Sequence, residues 1–115
     1  MYRKFKVSIM TKEPESSFIL ALGDYPLIRL VDFFITFEDF DYSLSDISKN
    51  AKVSWATTCE LIPKMVKKGF LIETRSVGRA RMFKLNTDNP DVRALIKLFN
   101  TICKNAIDKE LAVTA

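Results

Sequence analysis

SLSDISKNAKVSWATTCELI, residues 43–62 of the chain, sets two helix starts eleven residues apart. Ser43 is an N-cap, and Asp46 stands where the Glu of a capping box is usual, which predicts a helix from about Leu44 to Asn50. Ser54 is a second N-cap. With Ile62 at the centre and about 100° per residue, Trp55, Thr58, Cys59, Met65 and Val66 lie within about 60° of it, the expected buried stripe of the second helix. Thr57, Glu60, Lys64, Lys67 and Lys68 fall on the opposite, outward side. The few residues between these helices leave room only for a tight turn.

Downstream, residues 64–85 read KMVKKGFLIETRSVGRARMFKL. Gly69 follows two lysines that oppose the negative end of the helix dipole, and it is a good residue to end the helix. Pro63 lies inside that helix, and a kink is expected near Cys59 to Pro63. Phe70 to Thr74 and Arg81 to Leu85 are β-rich runs flanking Arg75 to Ala80, a hairpin with a basic, Gly-containing tip. Upstream, Asp24 is the expected cap of a helix with Pro26 in its first turn, and Leu27, Leu30, Val31, Phe34 and Ile35 on one face, ending near Phe37. Phe18 to Leu22 is a short apolar run of open secondary structure, Thr11 to Ser17 reads as a loop, and Phe5, Val7 and Ile9 alternate as in a short strand. Asn89 and Pro90 start a last helix of four to five turns.

Position by position, residues 43–62 match the helix-turn-helix pattern. Ile47, Val53, Thr58 and Ile62 take its buried places, Ser48 the small-residue place where two helices meet, and Ser54 the recognition-helix cap; Lys52 stands where glycine is frequent. With the Lys-Lys-Gly-Phe-Leu-Ile passage into a strand and the basic hairpin, the chain over roughly residues 24–107 resembles the winged-helix regulators of the broad ArsR/MarR-like superfamily, particularly small archaeal members. The resemblance implies a mainly helical α+β winged helix-turn-helix with a two-stranded β-wing and a long C-terminal dimerisation helix. It divides the chain into an N-terminal strand and loop extension (1–23), a DNA-binding domain (24–88) and the C-terminal helix (89–115). It also implies a cytoplasmic, nucleoid-associated transcriptional regulator whose partners are double-stranded DNA, a second copy of itself and transcription machinery.

Charge placement supports the same expectation. The net charge of the 115 residues is +4, yet residues 43–85 carry nine cations against three anions while residues 11–42 carry two against seven. An α-helix fits the major groove and phosphate affinity needs cations on the same side. The expected DNA-contacting set is Ser54, Trp55, Thr57, Thr58, Lys64, Lys67, Lys68, Arg75, Arg79 and Arg81. Within it the helical wheel turns Trp55 toward the core, where packing competes with base contact. Thr57 is the better recognition candidate, Arg79 is placed to enter the minor groove, and Arg75 and Arg81 should alternate with buried residues such as Phe83, giving a basic face over an apolar one.

Val92, Leu95, Phe99, Ile102, Cys103 and Ala106 form an apolar stripe on the last helix, expected to pair with a second copy; the competing expectation is that this helix folds back on the helix after Asp24. Phe33, Phe34, Phe37 and Phe40 are expected in the core, so no effector follows. Histidine is absent and the two cysteines, Cys59 and Cys103, are 44 positions apart, so no paired-ligand zinc pattern exists and no metal or cofactor is expected. They supply no disulfide framework, and an intracellular, reducing location is expected, with no signal peptide and no membrane span. Lack of an imidazole base and of clustered carboxylates argues against an enzyme. The alternative to DNA binding is a winged-helix protein-interaction module in a transcription or DNA-partition assembly.

Overall fold

Ser48 and Val53 close the turn between the two central helices. A computed structural model of the chain describes residues 16–114. In sequence order it contains α1 (Ser17–Leu22), α2 (Pro26–Thr36), β1 (Tyr42–Ser43), α3 (Leu44–Ala51), α4 (Trp55–Lys67), β2 (Leu71–Val77), β3 (Ala80–Leu85) and α5 (Pro90–Thr114). The strand expected at Phe5 to Ile9 lies outside the described residues. Ser43 Oγ accepts the Asp46 N–H at 3.1 Å and starts α3 as its position requires. At the other end the Ser48 carbonyl accepts the Val53 N–H at 3.1 Å, while the Ser48 hydroxyl donates to the Val53 carbonyl at 2.6 Å. Between them Lys52 takes φ 60°, ψ 45°, the left-handed conformation in which glycine costs nothing. Ser54 then caps α4, its Oγ accepting the Thr57 N–H at 3.2 Å. Helix α4 runs through Pro63 from Trp55 to Lys67.

Helix α4 stops at a Schellman motif. The Gly69 N–H donates to the Val66 carbonyl and the Phe70 N–H to the Met65 carbonyl, each at 2.9 Å, with Gly69 at φ 82°. The Gly69 carbonyl in turn accepts from the side-chain amides of Asn86 at 2.9 Å and Asn89 at 3.0 Å. Asn89 also caps α5 through its Oδ1, which accepts the Asp91 N–H at 2.8 Å. One carbonyl thereby joins the end of α4, the end of the hairpin and the start of α5. The 25 residues of α5 span about 37 Å, longer than the four to five turns expected.

The sheet has three antiparallel strands in the order β1-β3-β2, so the expected two-stranded wing gains Tyr42 and Ser43 at its edge. Strands β2 and β3 extend further than expected, to Val77 and from Ala80, leaving Gly78 and Arg79 as a two-residue turn. Glu73 faces Phe83 but Arg75 faces Met82, so the register slips at Thr74 in a bulge.

Phe18, Leu30, Phe33, Phe34, Ile47, Ile62, Phe83 and Val92 form the centre of the core, all at most 2% exposed. The run Phe18 to Leu22 is helical because Ser16 caps it, accepting the Phe18 N–H at 3.1 Å, so Ser17 belongs to α1 and not to a loop. The same Ser16 hydroxyl donates to the buried Asp32 of α2 at 2.6 Å, tying α1 to α2. Asp24 does not cap α2: Tyr25 is the N-cap residue and Asp24 pairs with Arg29 at 2.8 Å instead. Phe33, Phe37 and Tyr42 pack ring against ring, whereas Phe40, expected beside them, is exposed in the connector after α2.

The stripe on α5 folds back. Phe99 packs on Phe18 of α1 with ring centroids 5.2 Å apart, and Val92, Phe99 and Cys103 are buried within the single chain. These three are therefore core residues and not a dimer surface, because α1 and α2 already cover the apolar face that the sequence left unclaimed. Leu95, Ile102 and Ala106 are half-buried.

Lys52 and Gly69, both left-handed, should respond differently to substitution. Lys52→Gly is expected to leave stability unchanged within about 0.5 kcal/mol, relief of the left-handed strain offsetting the looser unfolded chain. Gly69→Ala is expected to cost about 1–2 kcal/mol, since a Cβ there would also sit 3.3 Å from Asn89 Nδ2. Urea unfolding of both variants checks this.

Candidate nucleic-acid interface

The capped start of α4 stands clear of the core. Ser54, Trp55 and Ala56 are exposed and Thr57 is half-exposed. Ser54 Oγ accepts the Thr57 N–H and donates to Thr57 Oγ1 at 2.9 Å, so the Ser54 hydroxyl proton is already committed. The Thr57 hydroxyl keeps its own proton to donate outward, which makes Thr57 the stronger hydrogen-bonding candidate of the two. Trp55 lies at the angle of the buried stripe yet is 56% exposed, because the core does not reach the first turn of the helix on that side. Thr58 is the reverse case. It is fully buried and its hydroxyl donates to the Ser54 carbonyl at 2.9 Å, so it cannot touch a partner and leaves the expected contact set. Further along, Lys64 lies 3.4 Å from Glu60, and Lys67 and Lys68 are exposed at the helix end.

The hairpin distributes its arginines differently from the expected basic face. Arg81 shares the side of β3 that carries Phe83, its guanidinium 5.5 Å from that ring. It is held by Glu73 through two bonds of 2.9 and 2.6 Å. The bulge at Thr74 shifts the register so that Arg75 comes opposite Met82, on the other side. There Asp41, just before β1, accepts from Arg75 Nε at 2.9 Å and Nη2 at 3.1 Å, and from the Thr74 hydroxyl at 2.5 Å. Only Arg79, in the turn beside Gly78 at φ 63°, has no ion-pair partner among the described residues.

These contacts hold charges in place. Hydrogen bonds from Arg75 first, and from Thr74 next, hold the Asp41 carboxyl far below the usual carboxylate range. The Arg81 hydrogen bond likewise lowers Glu73, and the two guanidiniums are raised in return. Both pairs are solvent-exposed on the arginine side, so they orient side chains more than they stabilise the fold. Sequence reading missed Asp41 because it is 34 positions from Arg75 and sits in a run of acids that looks like an ordinary connector.

Among the described residues no group of three or more His, Cys, Asp or Glu is placed to hold a metal ion, and no helix is long and apolar enough to cross a membrane. No family model matches the chain, and no curated protein matches it at significant similarity. Solved structures do share its fold. A variant of ZitR from Lactococcus lactis superposes with a TM-score of 0.56 at 13% identity, over 97% of this chain and 72% of that one. The transcriptional regulator BldR from Sulfolobus solfataricus gives 0.55 at 13%, over 84% and 68%. A predicted DNA-binding transcriptional regulator from E. coli gives 0.53 at 15%, over 73% and 83%. The fold is a mainly helical α+β winged helix-turn-helix, with α3 and α4 as its helix pair and β2 and β3 as its wing.

The Asp41 carboxyl, observed by carbon-13 shifts during acid titration, should titrate below the ordinary value of about 3.9 and move up toward it in Arg75→Ala. Since the folded value is the lowered one, this contact adds stability above about pH 4 and loses it as pH falls through the folded-state value.

Proposed function

We propose that the chain is a sequence-specific, double-stranded DNA-binding transcriptional regulator that acts as a homodimer, with α4 in the major groove and the Gly78–Arg79 turn over the minor groove or backbone. The observation that carries the reading is the free N-terminal end of α4. The Ser48–Val53 turn fixes its direction, the core leaves Trp55, Ala56 and Thr57 uncovered, and a helix read by DNA presents its N-terminal residues to base edges. Lys64, Lys67, Lys68 and Arg79 supply cations for phosphates. Two of the structures sharing the fold are described as transcriptional regulators, which agrees with the reading.

A protein-docking module is the second reading, favoured by the pairing of Arg75 with Asp41 and Arg81 with Glu73, which withdraws cations that a phosphate-binding wing would use. Salt dependence separates the two. For a DNA-binding chain, Arg79→Ala should weaken binding to all duplexes alike and reduce the slope of log K against log salt by about one. Thr57→Ala should lower the ratio of specific to non-specific affinity, at a cost of about 1–3 kcal/mol for a lost base contact. Almost no binding of random duplex DNA by the unaltered chain at about 100 mM salt, measured by fluorescence anisotropy, would favour the docking module, whereas unchanged affinity and slope in Arg79→Ala would remove the wing from the contact.

Reading a palindromic site requires two copies of α4 about 34 Å apart. With Val92, Phe99 and Cys103 inside the single chain, we place pairing on an apolar rim among the described residues, where Leu22, Leu27 and Leu98, all well exposed, line one groove between α1, α2 and α5. Leu98→Asp should therefore give a folded monomer, whereas Phe99→Asp should unfold the chain. Sedimentation and circular dichroism distinguish these outcomes, and a folded, dimeric Leu98→Asp would remove this rim from the assembly.

A further inference from the structure

The chemistry at the free end of α4 says which bases it can read, given that the chain binds duplex DNA as proposed above. Residues 54–63, SWATTCELIP, contain no arginine, lysine, asparagine or glutamine. Those four side chains make the paired hydrogen bonds that identify guanine and adenine in the major groove. The first cation on the helix, Lys64, is ten residues beyond Ser54, about 15 Å along the axis, and lies beside Glu60.

The end of α4 offers carbon instead. Trp55 is more than half exposed, Ala56 is exposed and presents only a methyl group, and Thr57 adds a methyl beside its hydroxyl. Packing does not account for Trp55, since it stands on the buried angle of the helix with no core over it. The C5-methyl of thymine is the apolar group that the major groove displays.

We propose that Trp55 and Ala56 read thymine methyl groups, so that the position of thymines, and not paired hydrogen bonds to purines, sets which duplexes this chain selects. The Thr57 hydroxyl, whose proton Ser54 leaves free, fits beside them as a donor to an acceptor such as thymine O4. Arg79 and the lysines at the far end of α4 contribute affinity that is indifferent to sequence.

The test uses duplexes enriched from a random pool by the full chain, remade with deoxyuridine in place of thymine one position at a time. That exchange removes the methyl and keeps the base pair. The expected result is an affinity loss of about fourfold per buried methyl at one or two positions of each half-site. At the position that Trp55 reads, Trp55→Ala should bind the thymine and deoxyuridine duplexes alike and Trp55→Phe should keep part of the difference, while Thr57→Ala should keep the difference whole at every position. Both Trp55 variants are expected to fold, the side chain being exposed. Equal binding of thymine and deoxyuridine duplexes by the unaltered chain at every position overturns this inference and leaves the duplex-binding reading in place. Enrichment of sites without thymine has the same meaning, and enrichment of no duplex at all overturns both.

Discussion

Two hydrogen bonds between Ser48 and Val53, with Lys52 held left-handed between them, set the direction of α4 relative to α3. What is proposed for the exposed end of α4 depends on that angle. Ile47 and Ala51 of α3 and Thr58, Ile62 and Met65 of α4 are buried in one core, and a turn of another geometry would withdraw them. The same turn delivers Ser54 to its cap, and the cap spends the Ser54 hydroxyl on Thr57. A local backbone constraint thus decides which hydroxyl at the helix end remains available.

A second junction performs the matching task for the wing. The Gly69 carbonyl gathers Asn86 and Asn89, so the hairpin leaves and returns at one point and α5 begins there. From that fixed base the bulge at Thr74 sends Arg75 and Arg81 to opposite sides, each to its own carboxylate. The consequence is a wing in which Arg79 alone of the three arginines has no carboxylate partner among the described residues. Counting charges along the chain overstated what the hairpin offers, because Asp41 of the connector comes to meet Arg75 and Glu73 of the facing strand lies beside Arg81.

The local features were legible in the sequence. Caps at Ser43 and Ser54, the helix stop at Gly69 and the Asn89–Pro90 start depend on residues within a turn of one another, and all four appear where their chemistry predicts. Features that depend on distant partners were not legible. Whether Val92, Phe99 and Cys103 face a second copy or the same chain depends on Phe18 and its helix, whose own formation depends on Ser16. The wheel assigned Trp55 and Thr58 to one side, which is correct as an angle; how far the core extends along that side is set by tertiary packing, and it separates a half-open Trp55 from a fully closed Thr58. Strand β1 has two residues and no alternation to detect, and Asp41 beside it carries no local mark of its long-range bond.

Mapping backbone amide shifts during titration with an enriched duplex tests the account most directly. Perturbation centred on residues 54–60 of α4 and on 77–80 of the wing is the expected pattern. Perturbation confined to the groove around Leu22, Leu27 and Leu98, with the N-terminal end of α4 unchanged, would contradict it.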